Sequence, residues 1–174
     1  MPRIQQMSVI ALIFLLPYCV AYPWVSLDWP LKMAFLDPDI WPNHRWVAPD
    51  APDILVTRVV YFAAWLPCAI AGQAALIIAA LIAHDFYRGR VFDSRVAQRI
   101  YWVGACTAAS AGFAIAAGCV SPMIVSWHNP DGPLPLRLWY TVNHIGLIFC
   151  GLAFMVLGAV LREAIRIEIE NREF

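Results

Sequence analysis

The chain has 174 residues, 61% of them hydrophobic and 14% charged, with twelve basic and twelve acidic side chains. Soluble domains run at roughly 45–50% apolar and about 25% charged, so this balance, gathered in long uncharged blocks, marks a membrane protein. The formal net charge of zero removes the electrostatic argument for a nucleic-acid partner.

Residues 7–24 form the first apolar run. Pro17 should kink it or end its regular part, because proline lacks the backbone N–H. Arg3 and the free amine ahead of it also fit a signal peptide, and Cys19-Val20-Ala21 resembles a cleavage site. The bulky Tyr22-Pro23-Trp24 favours an uncleaved helix anchored at the water–lipid boundary. Tyr18 directly before Cys19 argues against a lipoprotein box.

Residues 25–57 hold five prolines, three tryptophans and five aspartates against Lys32 and Arg45. Proline at that density excludes a long helix, and the tryptophans suggest a loop folded back onto the membrane surface. This external loop is long for a plain connection, and long loops are often functional.

The second span covers residues 58–84 and includes Pro67, Gly72 and Gln73. Ala71, Ala75, Ala79 and Ala83 recur every fourth residue, a small-residue stripe that lets another backbone approach. Gln73 near the middle is read as a hydrogen-bonding partner for a neighbouring helix. Residues 85–98 make an Arg-rich loop with Arg88, Arg90 and Arg95, and Arg99 follows. Gly89 supplies a turn there, and Asp93 or Ser94 is a good N-cap.

The third span covers residues 99–122, where Gly104, Ala108, Gly112 and Ala116 again repeat every four residues. This is the strongest packing signal in the chain and puts the third helix at the centre of a bundle, with the stripes used internally or for a homodimer. Trp127-His128-Asn129-Pro130-Asp131-Gly132-Pro133 carries turn chemistry. The fourth span covers 138–162, opening on an anchor at Trp139-Tyr140. The tail 163–174 continues as helix, with Glu168 and Arg172 paired at i,i+4.

Arg3, Arg88, Arg90, Arg95, Arg99, Arg162, Arg166 and Arg172 fall on one side of this arrangement, and Lys32, Arg45, Arg58 and Arg137 on the other. The positive-inside rule then makes both termini cytoplasmic. The expected fold is all-α integral membrane, four transmembrane helices, N-in/C-in, with a Trp/Pro-rich external loop between helices 1 and 2.

Two segments carry a family resemblance. One is Tyr87-Arg88-Gly89-Arg90-Val91-Phe92-Asp93 through Arg99-Ile100; the other is Leu161-Arg162-Glu163-Ala164-Ile165-Arg166-Ile167-Glu168-Ile169-Glu170. With the four spans, these resemble the YoaS-like family of small bacterial membrane proteins, a domain of unknown function numbered 2975. The likeness covers residues 58–174 and more weakly the first span. It leaves the Trp/Pro-rich loop unmatched and differs at the end, where Arg172 interrupts the acids and Phe174 closes the chain. It implies a bacterial inner-membrane protein and brings no catalytic residues.

Candidate chemistry is sparse. His84 and His144 lie at opposite ends of their spans, roughly 25 Å apart along the normal at about 1.5 Å per residue, too far to share a haem. His44, His128 and His144 sit on the outer side with Asp37, Asp39, Asp50 and Asp53 near in sequence, a set suited to zinc or copper but without HxH, HxxxH or CxxC spacing. Cys19, Cys68, Cys106, Cys119 and Cys150 all lie in apolar runs and read as small hydrophobes. No ionisable residue at mid-depth marks a transport path, and GxSxG, HExxH and P-loop motifs are absent. The arginines of residues 88–99 suit anionic headgroups or a partner protein. The sequence therefore predicts a non-enzymatic accessory or interaction protein without cofactor. The alternatives are a small-ligand or metal-binding membrane protein using the outer His and Asp residues, and a transport component.

Overall fold

A computed structural model of the chain describes residues 3–37, 39–41, 44–52, 54–91 and 93–172. Pro38, Pro42, Asp53, Phe92, Glu173 and Phe174 lie outside the described residues, as does the Arg172 side chain expected to pair with Glu168. Four long helices and no strand make up the described residues: α1 (Arg3–Leu31), α2 (Leu55–Tyr87), α3 (Ser94–Val125) and α4 (Val142–Arg172), with a π-helical turn (Lys32–Leu36) closing α1. All four are long and apolar enough to cross a membrane. A crossing needs about 20 residues. Helices of 29 to 33 residues therefore run past that length and have ends to spend on other structure.

The helices form an open layer rather than a closed bundle. Among the described residues, close backbone approach between the long helices links chain neighbours only: α1 with α2, α2 with α3, α3 with α4. Neighbours run antiparallel. Gln5 at the start of α1 donates to Tyr87 O at the end of α2 (3.2 Å), and Arg162 of α4 donates to Gln98 at the start of α3 (3.2 Å). One end of the layer thus carries the 88–93 turn, and the other carries the tryptophan-rich cap. α3 is the most enclosed helix. Large apolar side chains such as Phe14, Val20, Phe149 and Val156 stand exposed on the flanking α1 and α4, a surface that suits lipid and not water.

The first helix ends neither at Pro17 nor at the close of the apolar run at residue 24, and it enters the stretch expected to be a non-helical loop. The helix continues through Pro17, Pro23 and Pro30 to Leu31. Each proline deletes one N–H and so frees one carbonyl four residues earlier. Pro23 frees that of Cys19, and Gln73 Nε2 of α2 donates to it at 3.0 Å. A neighbouring helix thus supplies the donor that the helix itself lacks. Near Pro30 the helix widens instead, and Asp37 N reaches Lys32 O at 3.2 Å, an i→i+5 bond. The ion pair Asp28–Lys32 (2.8 Å) spans this region.

The glycine stripe of α3 divides. A Cβ on Gly151 of α4 would lie 2.6 Å from Gly104 O and 2.8 Å from Ala108 Cβ, so α3 and α4 touch backbone to backbone here. Gly158 meets Ala97 and Tyr101 in the same way. Gly112 and Ala116, by contrast, are exposed, and a Cβ on Gly112 would meet nothing within 4 Å. At 3.6 residues per turn a four-residue repeat rotates by roughly 40° per step, so Ala116 stands about 120° from Gly104. The true seam, Ala97, Tyr101, Gly104 and Ala108, drifts by only about 20°. On α2, Ala75 and Ala83 are buried while Ala71 and Ala79 are half-buried, consistent with a helix flanked on two sides.

The arginine end is tightly closed. Gly89, at φ 79°, ends α2 in a left-handed turn. Gly89 N donates to Phe86 O and Arg90 N to Asp85 O, both at 3.0 Å, the paired bonds of a Schellman stop. Asp93 Oδ1 then caps α3 by accepting from Arg95 N at 2.9 Å.

Two outcomes are expected. Gln73→Leu should destabilise the protein by about 1 kcal/mol in a detergent unfolding titration. That loss should vanish in a Pro23→Ala background, where residue 23 regains its own N–H. Gly151→Leu should separate α3 from α4 and lower the melting temperature by several degrees, whereas Gly112→Ala should be neutral or slightly stabilising.

Candidate functional site

The best-packed apolar cluster lies under the cap, not in the middle of the helices. Met33, Trp41, Tyr61 and Val125 form it, with Ile40, Trp46 and Val47 packed around. Trp41 meets Tyr61 edge to face at 6.1 Å, and the Arg58 guanidinium lies 5.7 Å from the centre of the same Trp41 ring. Asn129 ties the cap to the loop that follows α3. Asn129 Oδ1 accepts from Ala48 N (2.9 Å) and its Nδ2 donates to Trp46 O (3.0 Å). Ser126, fully buried, bonds Pro122 O and accepts from Leu134 N, which fixes the loop that presents Asn129.

The opposite wall comes from residues 133–141, which form neither helix nor strand. Trp139-Tyr140 therefore do not open the fourth helix, correcting the expected start at 138. Pro133 and Pro135 favour extended backbone, and Thr141 is the point where a helix can be capped. His144 N approaches Thr141 Oγ1 at 3.4 Å while Thr141 N donates back to His144 Nδ1 at 3.2 Å, a capping box with histidine in the usual Glu position. This segment packs against α3 at Gly118 and Cys119. Trp139 N donates to Cys119 Sγ (3.2 Å) and Arg137 N to Cys119 O (3.4 Å). The Trp139 indole rests on Gly118, where any Cβ would overlap it.

Between these walls lies a cleft of about 670 Å³, within the ordinary range for small-ligand sites. Trp65 and Trp139 meet at 6.0 Å and 83° and form two perpendicular sides, with Tyr61, Gly118 and Ser121 beside them. Trp46 and His44 of the cap face them, and Trp29, Asp37, Asp39 and Arg45 stand around the cleft. Asp37 Oδ1 accepts from Asp39 N at 3.1 Å, which fixes the two carboxylate-bearing residues in one turn. The Arg45 guanidinium lies 5.0 Å over Trp46.

The candidate metal ligands do not converge. His44 accepts from Trp46 N (3.4 Å), His128 Nδ1 bonds Thr57 Oγ1 (3.1 Å), and His144 caps α4. Among the described residues no group of three His, Cys, Asp or Glu side chains could hold a metal. Burial, and then the neighbouring Arg45 charge, push the His44 imidazole below its ordinary value of 6.5. The cysteines are free, and Cys150 is exposed where a buried hydrophobe was expected.

At the arginine end, Arg88, Arg90 and Arg95 are exposed. Arg99 instead pairs with Asp85 across α2 and α3 and is turned inward from the surface the others share. An open cavity of about 680 Å³ separates Gly89, Arg90 and Ser94 from Ile165 and Ile169 of the α4 tail.

Asn129, Gly118, Trp65 and Trp139 build the cleft, and sequence reasoning assigned none of them to a site. Asn129-Pro130 reads as turn chemistry, and a tryptophan near a span end reads as an interfacial anchor. The one available signal was number, since eight tryptophans in 174 residues is high.

Fold and site together define an all-helical protein with four membrane-length helices and an aromatic cleft at one end. The model of the family described as "Protein of unknown function (DUF2975)" matches residues 26–173, and the chain belongs to that family. The match takes in the Trp/Pro-rich cap, which the resemblance above left out. No curated protein and no solved structure matches the chain.

Asn129→Ala should strand two cap backbone groups and loosen the cap by about 2 kcal/mol, seen as faster amide exchange at Ala48 with α3 and α4 unchanged. The His44 shift has a definite sign. Its contribution to cap stability is complete above pH 6.5 and is lost as pH falls through the lowered value. Cap exchange should accelerate below that pH, and His44→Gln should flatten the dependence.

Proposed function

We propose that this is a multi-pass membrane protein of a bacterial inner membrane, with both termini cytoplasmic, that works by binding a small molecule in the cleft on its outer face. The observation that carries this reading is the cleft itself: aromatic walls from three separate elements around one volume, with charged groups beside it. The site is also built at some length. Asn129 clamps the cap, and the chain from 133 to 141 packs against α3 and brings Trp139 onto Gly118. Aromatic walls with charged groups on the rim suit retention of a ligand, and the protein is taken as a non-enzyme. The eight-to-four arginine and lysine asymmetry supports the orientation.

A second reading, an accessory protein contacting lipid headgroups or another membrane protein, draws on the arginine end. Arg88, Arg90 and Arg95 are exposed there beside the helical tail of α4.

The test is a tryptophan-emission screen of purified protein in uncharged detergent against a panel of small amines, acids, sugars and aromatic compounds. At least one compound should saturate the wild type at one-to-one stoichiometry and fail to do so in Gly118→Leu, which drives Trp139 into the cleft. A panel in which no compound separates the two proteins, at matched melting temperature, overturns the reading.

A further inference from the structure

We infer that the start of α3 and the end of α4 form a seat for the phosphate of an anionic membrane lipid whose headgroup carries no cation, such as phosphatidylglycerol. The inference is independent of the cleft. It rests on the second reading above, to which it gives a ligand and a place.

The first support is the chemistry of the seat. Ser94, Arg95, Gln98 and Arg99 of α3 and Arg162 of α4 line a cavity of about 390 Å³. Arg162 Nη1 donates to Gln98 Oε1 at 3.2 Å, which ties the two walls together and leaves Gln98 Nε2 as a donor. Arg99 is paired with Asp85, whereas neither Arg95 nor Arg162 pairs with a carboxylate among the described residues. The acids nearby are engaged elsewhere: Glu163 and Glu170 with Arg166, and Asp93 with the backbone N–H of Arg95. Asp93 also takes the N–H groups of Val96 and Ala97, so side chains and not the helix end carry the site. Two guanidiniums without a carboxylate between them match the forked acceptors of a phosphate.

The second support is depth. Residues 100–122 of α3 and 138–161 of α4 contain no Asp, Glu, Lys or Arg, and Arg99 and Arg162 are the first charges beyond them. The seat therefore opens where the apolar stretches of both helices end, the level at which lipid phosphates lie.

The third support is Trp102, which is 49% exposed. It follows Gln98 by four residues, so it stands on nearly the same face and about 6 Å nearer the apolar stretch. An indole favours that depth, where it meets the glycerol and first acyl carbons of a lipid whose phosphate sits on the arginines. A soluble phosphate has nothing to place there. A zwitterionic lipid would bring its own cation beside two guanidiniums, with no carboxylate lining the seat to receive it.

The test is energy transfer from tryptophan to a pyrene-acyl phosphatidylglycerol, measured on the full chain in uncharged detergent and competed with unlabelled lipids. Phosphatidylglycerol should displace the probe about tenfold more effectively than phosphatidylcholine. Arg95→Gln and Arg162→Gln should each weaken probe binding about fivefold, and the double variant about twentyfold with loss of the preference. Arg88→Gln/Arg90→Gln, in the turn outside the seat, should stay within about twofold of the wild type. All four side chains are exposed, so melting temperatures should not change. Equal displacement by the two lipids in the wild type overturns the inference and the lipid reading together. A preference that survives in Arg95→Gln/Arg162→Gln, or that falls as far in Arg88→Gln/Arg90→Gln, overturns the seat and leaves diffuse headgroup contact along the arginine end. Inorganic phosphate in about hundredfold excess should leave the probe in place, since screening alone removes little of a contact made at the bilayer edge. Displacement by phosphate, with sodium chloride of the same ionic strength inert, overturns the lipid source and assigns the seat to a soluble anion.

Discussion

A carbonyl or N–H that loses its partner in apolar surroundings is costly, and that constraint organises this protein. Three prolines lie inside α1, and each removes a donor. The helix survives because α2 supplies Gln73 to the carbonyl that Pro23 leaves free. The same requirement recurs at the cap, where irregular chain has no helix to satisfy it. Asn129 takes one donor and one acceptor from the 46–48 segment and so fixes its path. Where the chain departs from helix, a side chain from another element makes up the missing bond.

Packing divides the molecule into two regimes. Along the helices the contacts are close and made by small residues: Gly104, Gly151 and Gly158 bring α3 against α4 with almost no side chain between them. At the cap end the contacts are large and aromatic, with Trp41, Tyr61, Trp65 and Trp139 meeting edge to face. Rigid, close-set helices give a stable frame. Bulky rings held at angles cannot fill space completely, and the cleft is what they leave. The frame explains why the site can be built from loops and still be fixed. Each loop ends on a capped or clamped position, Thr141 on one side and Asn129 on the other.

The opposite end shows how arginines of similar appearance come to differ. Arg88, Arg90 and Arg95 sit in or just after a short turn set by Gly89 and Asp93 and remain exposed. Arg99 lies one turn further into α3, facing α2, where Asp85 is within reach. Spacing along a helix decides this, since four residues past Arg95 the chain has advanced a full turn into the layer.

Four apolar segments of sufficient length, the arginine-rich turn between the second and third, the cap of α3 at Asp93 and the helical tail were all legible in the residues, because each depends on local chemistry: hydropathy, a capping oxygen, a glycine stop. The family was legible too, from the turn and the tail, and its model extends over the cap as well. The length of α1 was not, because a proline's effect depends on whether a distant donor such as Gln73 meets the carbonyl it frees. Nor was the helix seam, since a four-residue stripe looks continuous in sequence while rotating away from its partner in space. The cleft was the least visible of all. Its walls come from residues as far apart as Trp29 and Trp139, and only the antiparallel layer and the chain folding back from Pro133 to Tyr140 bring them to one place. Hydropathy is a sum over neighbours in the chain, so sequence determined what each segment is. Juxtaposition is a property of the folded layer, so tertiary structure alone decided what the segments make together.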